Sequence, residues 1–558
     1  MNPVISVVVF LILTLISVTP AIAEPTSYLP VSHRVYDFLD RMEHHYFISG
    51  ARLGTKPLTR AEAARLLFSI SEKSTPLSEV DKEELQCLRD EFKPDFYNRH
   101  GLVWDDKGPV ERLPGFLKDF VYRNRRNLFS TSGNNYSLYL DPVIVRKSTF
   151  KKLHESSSED SVIYTSENGF KIHGTVGDHL GFRIDVRDSK EQGSRDYPEN
   201  TATTMPEIGF ASFKGNRAEF DETSAHLAYS HGPFVLSYGR GENIWGRGRK
   251  NTLVLSEYSA PYDMLRFETG FWRLKFMFFA SEIEQYPPIA KFYYNNPGVV
   301  SDSVVVKKHL TGHRVEIDVT NRINIGLYEA IIYGGRWDLS YINPLMFFKG
   351  AEHANGDHDN AVMGMDFRIF VHRSHSIYGE FFIDDITTTK LGTDWYGNKL
   401  AYQLGSFFVE PFAFKDIDTR VEYTRISPWV YTHRYPINTY TNYGDVLGHP
   451  IGPNSDELLM EIRKRFTRRL HTSLFFSRRR HGKNPVGKNV GGNPLEGFKN
   501  GDSKKARFLA GNVEKAYTFS VNVSYEIFWQ FFLKIGYTYE DIDDDNINIF
   551  RLSLGLNE

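Results

Sequence analysis

Between residues 238 and 249 the chain reads Tyr-Gly-Arg-Gly-Glu-Asn-Ile-Trp-Gly-Arg-Gly-Arg, its densest grouping of side chains that could grip a ligand. Trp245 offers a flat apolar face, with the guanidinium forks of Arg240, Arg247 and Arg249 around it. Sugar rings stack their C–H faces on aromatic rings, and arginine holds a carboxylate through two parallel hydrogen bonds. The interleaved glycines let the backbone approach a ligand or fold inward. The plainer reading is a loop that plugs a polar interior, its arginines paired with acids such as Asp185, Glu316 or Asp318.

Two further groups have the right residue types. Arg478, Arg479, Arg480 and His481, with Lys483 and Lys488, are expected to begin a long loop after a strand over 472–477. Such cations at an outer rim suit an acidic polymer or the phosphates of lipopolysaccharide. Tyr431, His433, Tyr435, Tyr440 and Tyr443 crowd one loop. Tyr435 and Tyr440 are taken with the arginines as candidate carbohydrate contacts, the alternative being an interfacial aromatic girdle.

Other chemistry finds little footing. His353, Asp357, His358 and Asp359 crowd a loop without the HExxH helix of a zinc site, so they read as solvated and no metal or other cofactor is expected. No Gly-x-Ser-x-Gly elbow or comparable nucleophile motif occurs, and no enzymatic role is expected. Cys87 is the only cysteine, which excludes an internal disulfide and a CxxC site. A net charge of −2 gives no reason to expect nucleic acid as a partner.

The elements that must position these residues follow two different periods. Residues 1–23 end an apolar run in Ala21-Ile22-Ala23, the mark of a cleaved secretory signal, although no Lys or Arg precedes the run. Residues 24–130 read as a small periplasmic helical segment. Val35, Phe38, Leu39, Met42 and Tyr46 form one stripe, and Thr59 and Glu62 form a capping box. Ser78 and Asp81 open a further helix that Pro94 is expected to stop, and 113–127 is read as another short helix.

Residues 131–558 change to a period of two. Leu180, Phe182, Ile184 and Val186 alternate with Gly181, Arg183, Asp185 and Arg187, and similar alternation recurs to Phe550–Leu556. Charge on one face and aliphatics on the other suit a wet bore inside lipid. A 14% aromatic content with a mean hydropathy of −0.40 fits the same picture. Tight links near 177, 231, 321, 373, 467 and 528 alternate with long polar excursions, the loop sorting of an outer-membrane barrel. The expected fold is an all-β transmembrane barrel of about 18 antiparallel strands, preceded by a small periplasmic α-helical bundle.

Several segments, in order, resemble the capsule-assembly Wzi family. They are 238–249 with Leu253-Val-Leu-Ser256 and Ala260-Pro261, then Tyr341-Ile-Asn-Pro344-Leu-Met-Phe-Phe348, Ala361-Val-Met-Gly-Met-Asp366 leading into Tyr378-Gly-Glu380, and Val446 to Asp456. The resemblance implies a lectin-like barrel of about 18 strands in the outer membrane, with periplasmic helices partly blocking its lumen. Lipid and lipopolysaccharide are partners that any such barrel meets, and a monomer is expected. The resemblance also implies a tethering role toward a surface polysaccharide, an acidic capsule being one such partner. A diffusion porin for small solutes is the alternative that the charged lumen faces allow.

Overall fold

The structure is a computed structural model that describes residues 25–46, 48, 51–70, 77–97, 126–133, 135–153, 161–194, 197, 204–287, 290–292, 303–335, 337–543 and 545–557. The signal segment and most of the helix expected over 113–127 lie outside these residues.

Eighteen antiparallel strands close into one barrel. In chain order they are β1 (Tyr136–Leu153), β2 (Ser161–Val176), β3 (Leu180–Gly193), β4 (Arg217–His231), β5 (Phe234–Gly241) and β6 (Tyr262–Phe271). They continue with β7 (Leu274–Ile283), β8 (Lys308–Thr320), β9 (Ile323–Gly334), β10 (Asn360–His372), β11 (His375–Asp385) and β12 (Lys399–Val409). The last six are β13 (Ile417–Ile426), β14 (Ser455–Arg465), β15 (Leu470–Lys483), β16 (Asn512–Phe528), β17 (Phe531–Ile542) and β18 (Asp545–Leu556). Each pairs with its neighbour in sequence, and β18 closes on β1 from Ile547↔Leu153 to Leu556↔Ile144. No edge strand is left for lipid, where an unpaired backbone group is costly.

The alternation read from the sequence is the alternation of the wall. On β14 and β15, Leu458, Met460, Leu474 and Phe476 are exposed on the outside, while Leu459, Glu461, Phe475 and Ser477 are buried toward the bore. Tight turns gather at the end where the chain enters and leaves the barrel, which is the periplasmic end in such proteins.

That end is filled by the helices. α1 (Val35–Tyr46), α2 (Arg60–Ser69) and α3 (Glu79–Tyr97) share an apolar core that includes Val35, Leu39, Met42, Ala63, Leu67, Leu85, Leu88 and Phe92. Thr59 caps α2, its hydroxyl accepting from the Glu62 N–H at 3.1 Å, while the Glu62 carboxylate meets Lys275 on β7; the Asp81 N–H donates to Ser78 Oγ. Pro94 does not end α3, contrary to expectation. A proline there removes only one hydrogen bond, and α3 runs through it to Tyr97.

Candidate functional site

The bore is occupied along its length, and ion pairs fix its contents. From α1, Asp37 meets Arg249 and Arg463, and Asp40 meets Arg368 and Arg420. Arg41 meets Asp81, Glu410 and Asp418, and Glu43 meets Arg247 and Arg368. The partners on the wall are inward positions of β10, β13 and β14. Arg314 on β8 binds the Thr55 hydroxyl at 2.8 Å and pairs with Asp366. Buried charges persist only when paired and hydrogen-bonded, and here both conditions hold.

From the outer end, two loops fold inward onto this plug. Residues 242–261, between β5 and β6, bring Trp245, Leu253, Val254 and Leu255 into a core shared with Val430, Tyr431, Tyr440, Leu447 and Ile451 of the loop between β13 and β14. The Leu253 and Val254 N–H groups both donate to the Glu380 carboxylate of β11, at 2.9 and 3.2 Å. Tyr431 and Tyr440 donate their hydroxyls to the carbonyls of Leu253 and Val254. Plug and loop then join directly: Thr55–Lys56 pairs as a two-residue ladder with Ile244–Trp245, and the Gly246 N–H donates to the Gly54 carbonyl at 2.8 Å.

This arrangement corrects several sequence expectations. Trp245 has no accessible surface; its indole N–H points at Met277 Sδ, 3.1 Å away, and its ring meets Phe279 edge-on. Arg247 pairs with Glu43 and Glu316, and Arg249 with Asp37 and Glu461, so both serve the plug. Arg240 lies on the outer wall, paired with Asp263 at 2.8 Å. Glu316 was legible as a lumen acid; its partners Gly54 and Thr55 in the plug, some 260 positions away, were not. Tyr440 and Tyr431 are fully buried, neither a platform nor a girdle, whereas Tyr435 is 39% exposed beneath the Arg434 guanidinium.

The arginine triplet does not begin a loop, because β15 continues to Lys483. The period of two therefore splits it. Arg479 points inward toward Glu514 at 3.8 Å, while Arg478 and Arg480 face outward above Leu474 and Phe476, with Arg480 paired to Asp456 at 2.5 Å. The long loop expected from Arg478 begins instead beyond Lys483. Residues 484–511 carry Lys488, Lys499, Lys504, Lys505 and Arg507, all exposed, against only two carboxylates, Glu496 and Asp502. The loop is held in place: the Leu509 N–H donates to Asn454 at 2.7 Å, the Ala506 N–H to the Asp394 carbonyl, and Phe498 stacks on Tyr396. Its excess of lysine was visible in the sequence; its rigidity was not.

Of the four residues weighed for a metal, His353 lies 3.7 Å from Asp357, His358 packs edge-on to Tyr435, and Asp359 accepts the Tyr341 hydroxyl. Among the described residues the one acidic trio close enough to share an ion is Asp81, Glu410 and Asp416. Arg41 and Arg465 already neutralise it.

A closed barrel with an apolar skin and a polar, plugged interior is an integral protein of the outer membrane. The family model described as capsule assembly protein Wzi matches residues 164–548, more than half of the chain, and the chain belongs to that family. The solved structure of Wzi from Escherichia coli, described as an outer membrane protein involved in group 1 capsule assembly and a carbohydrate-binding β-barrel, aligns with a TM-score of 0.56 at 12% identity. The alignment covers 95% of this chain and 99% of that one. OccAB4 of Acinetobacter baumannii gives 0.42 at 10% identity, over 76% and 97% of the two chains. OprD of Pseudomonas aeruginosa gives 0.40 at 9%, over 75% and 94%. Among curated proteins, none matches this sequence.

Proposed function

We propose that this chain tethers an acidic surface polysaccharide at the outer mouth of the barrel, by binding and not by catalysis. The observation that carries the reading is the pinned loop 484–511, which presents five exposed cations beside the exposed ring of Tyr435. A polymer of repeated acidic sugars meets such a face through many weak contacts, which together hold firmly. Family membership and the carbohydrate binding described for the Escherichia coli protein support the reading. Arg478 and Arg480, outward and above the apolar band, suit the phosphates of surrounding lipopolysaccharide, and a single barrel suffices for both tasks.

The test is the triple variant Lys499→Gln, Lys504→Gln, Lys505→Gln in capsulated cells. It is expected to release polysaccharide into the medium while heat-modifiable migration shows the barrel still assembled. Cell-bound polysaccharide equal to that of the unaltered protein would remove this loop as the tether.

A further inference from the structure

The loop between β9 and β10 does not join the others over the mouth. Its helices α4 (Leu339–Ile342) and α5 (Phe348–Ala354) lie on the outside of the wall, where Tyr341, Phe348 and Ala351 pack against Phe278, Ala280, Ile331, Tyr333 and Ala361. Those strand positions face outward, since the alternating Met277, Phe279, Ala330 and Ile332 line the interior core. The attachment is built in. Outward Glu329 accepts the N–H groups of Phe348 and Lys349 at 2.8 and 2.7 Å. The His313 ring lies 4.5 Å from that of Phe348, tilted by 31°, and the His309 ring lies 4.3 Å from that of Trp337.

Away from those contacts the hairpin carries Leu339, Leu345 and Phe347, which are 82%, 71% and 61% exposed, with Trp337, 43% exposed, at its edge against the wall. A contiguous apolar face of this kind marks contact with lipid or protein. Two facts select lipid. The face continues the outward positions Leu327 of β9 and Met365 and Ile369 of β10, which belong to the lipid-facing skin. It also ends in a tryptophan, the residue favoured where acyl chains meet headgroups.

We propose that residues 337–354 form an interfacial anchor, dipping Leu339, Leu345 and Phe347 into the acyl chains of the outer leaflet beside the wall. A short amphipathic segment held flat in this way resists the outward pull of a bound surface polymer, because that pull must extract it from lipid. The motif Tyr341 to Phe348, which the tethering loop leaves unexplained, is then the part that docks the anchor.

Nitroxide labels on the full chain in a Cys87→Ser background, refolded into phosphatidylcholine–phosphatidylglycerol vesicles, test this. Leu345→Cys reports the anchor, Leu552→Cys the lipid-facing wall and Val486→Cys a water-facing loop. At position 345 the ratio of oxygen to nickel-chelate collision should match position 552 and exceed position 486 by roughly tenfold, since the polar chelate is kept out of hydrocarbon. A ratio like that at 486 would overturn the anchor in favour of a free loop. Shielding from both reagents would overturn it in favour of a covering protein or second copy. Migration on gels, heated and unheated, confirms closure for each labelled chain, and positions 345 and 552 lie outside the loop tested for polysaccharide.

Discussion

Charged residues divide in this molecule by what surrounds them. In the plug, Asp81 would be raised by its burial, yet the guanidinium groups of Arg41 and Arg465 hold it down to about 2. Burial acts likewise on Glu91, and His33, Arg60 and Arg34 hold that carboxyl down to about 2. An unfolded carboxylate titrates near about 4, so both groups stay ionised longer in the fold than in the free chain. Their contribution to plug stability is complete above about pH 4 and is lost as pH falls through about 2. Burial also lowers His33 and His44 below the usual imidazole range, so the fold loses stability as these groups are driven to charge below about pH 6.5. The urea midpoint of the helical circular-dichroism signal should therefore fall with acid, most steeply below about pH 4; a midpoint rising with acid would contradict these pairings. The residue types of this network were legible in the sequence, but its pairs were not. Arg249 and Asp37 lie over two hundred positions apart, and only closure of the barrel brings them to 3.2 Å.

Elements were legible where their signal is local. Strand alternation reports one wet and one greasy face, and each strand carries that contrast by itself. Strand ends were less so, because β3, β4 and β15 run past the apolar band, where both faces turn polar and the contrast disappears. That is why Arg478 to Arg480 read as loop. An inward-folded loop is harder still, since burial of the Gly-rich stretch around Trp245 depends on residues of eight strands and of the loop between β13 and β14. Its packing makes a definite prediction: Trp245→Ala leaves a cavity where plug ladder, loop and wall meet, at a cost of about 3–5 kcal/mol. Thermal denaturation of the folded barrel should shift down accordingly. An unchanged melting temperature would mean that the ring is accessible after all, as the sequence alone suggested.

At the scale of the whole molecule, an 18-strand wall is wide enough to enclose a water-filled channel, and the porin alternative turns on what fills it. Two stoppers stand in series: the helices at the periplasmic end, tied to the wall by ion pairs, and the two inward loops beyond, tied by an apolar core. They differ in kind, so they should fail separately. Urea that melts the small helical unit leaves the loop core in place, and the intact protein should stay closed in planar bilayers under those conditions. Replacing residues 243–256 with a short linker takes away one of the two inward loops and the core it shares with the other, but leaves the helices, and that variant should also be closed without urea. Only the shortened chain in urea is expected to show current steps. Steps from the intact protein in plain buffer would show that the packed interior opens readily, and would restore a transport role beside the tether.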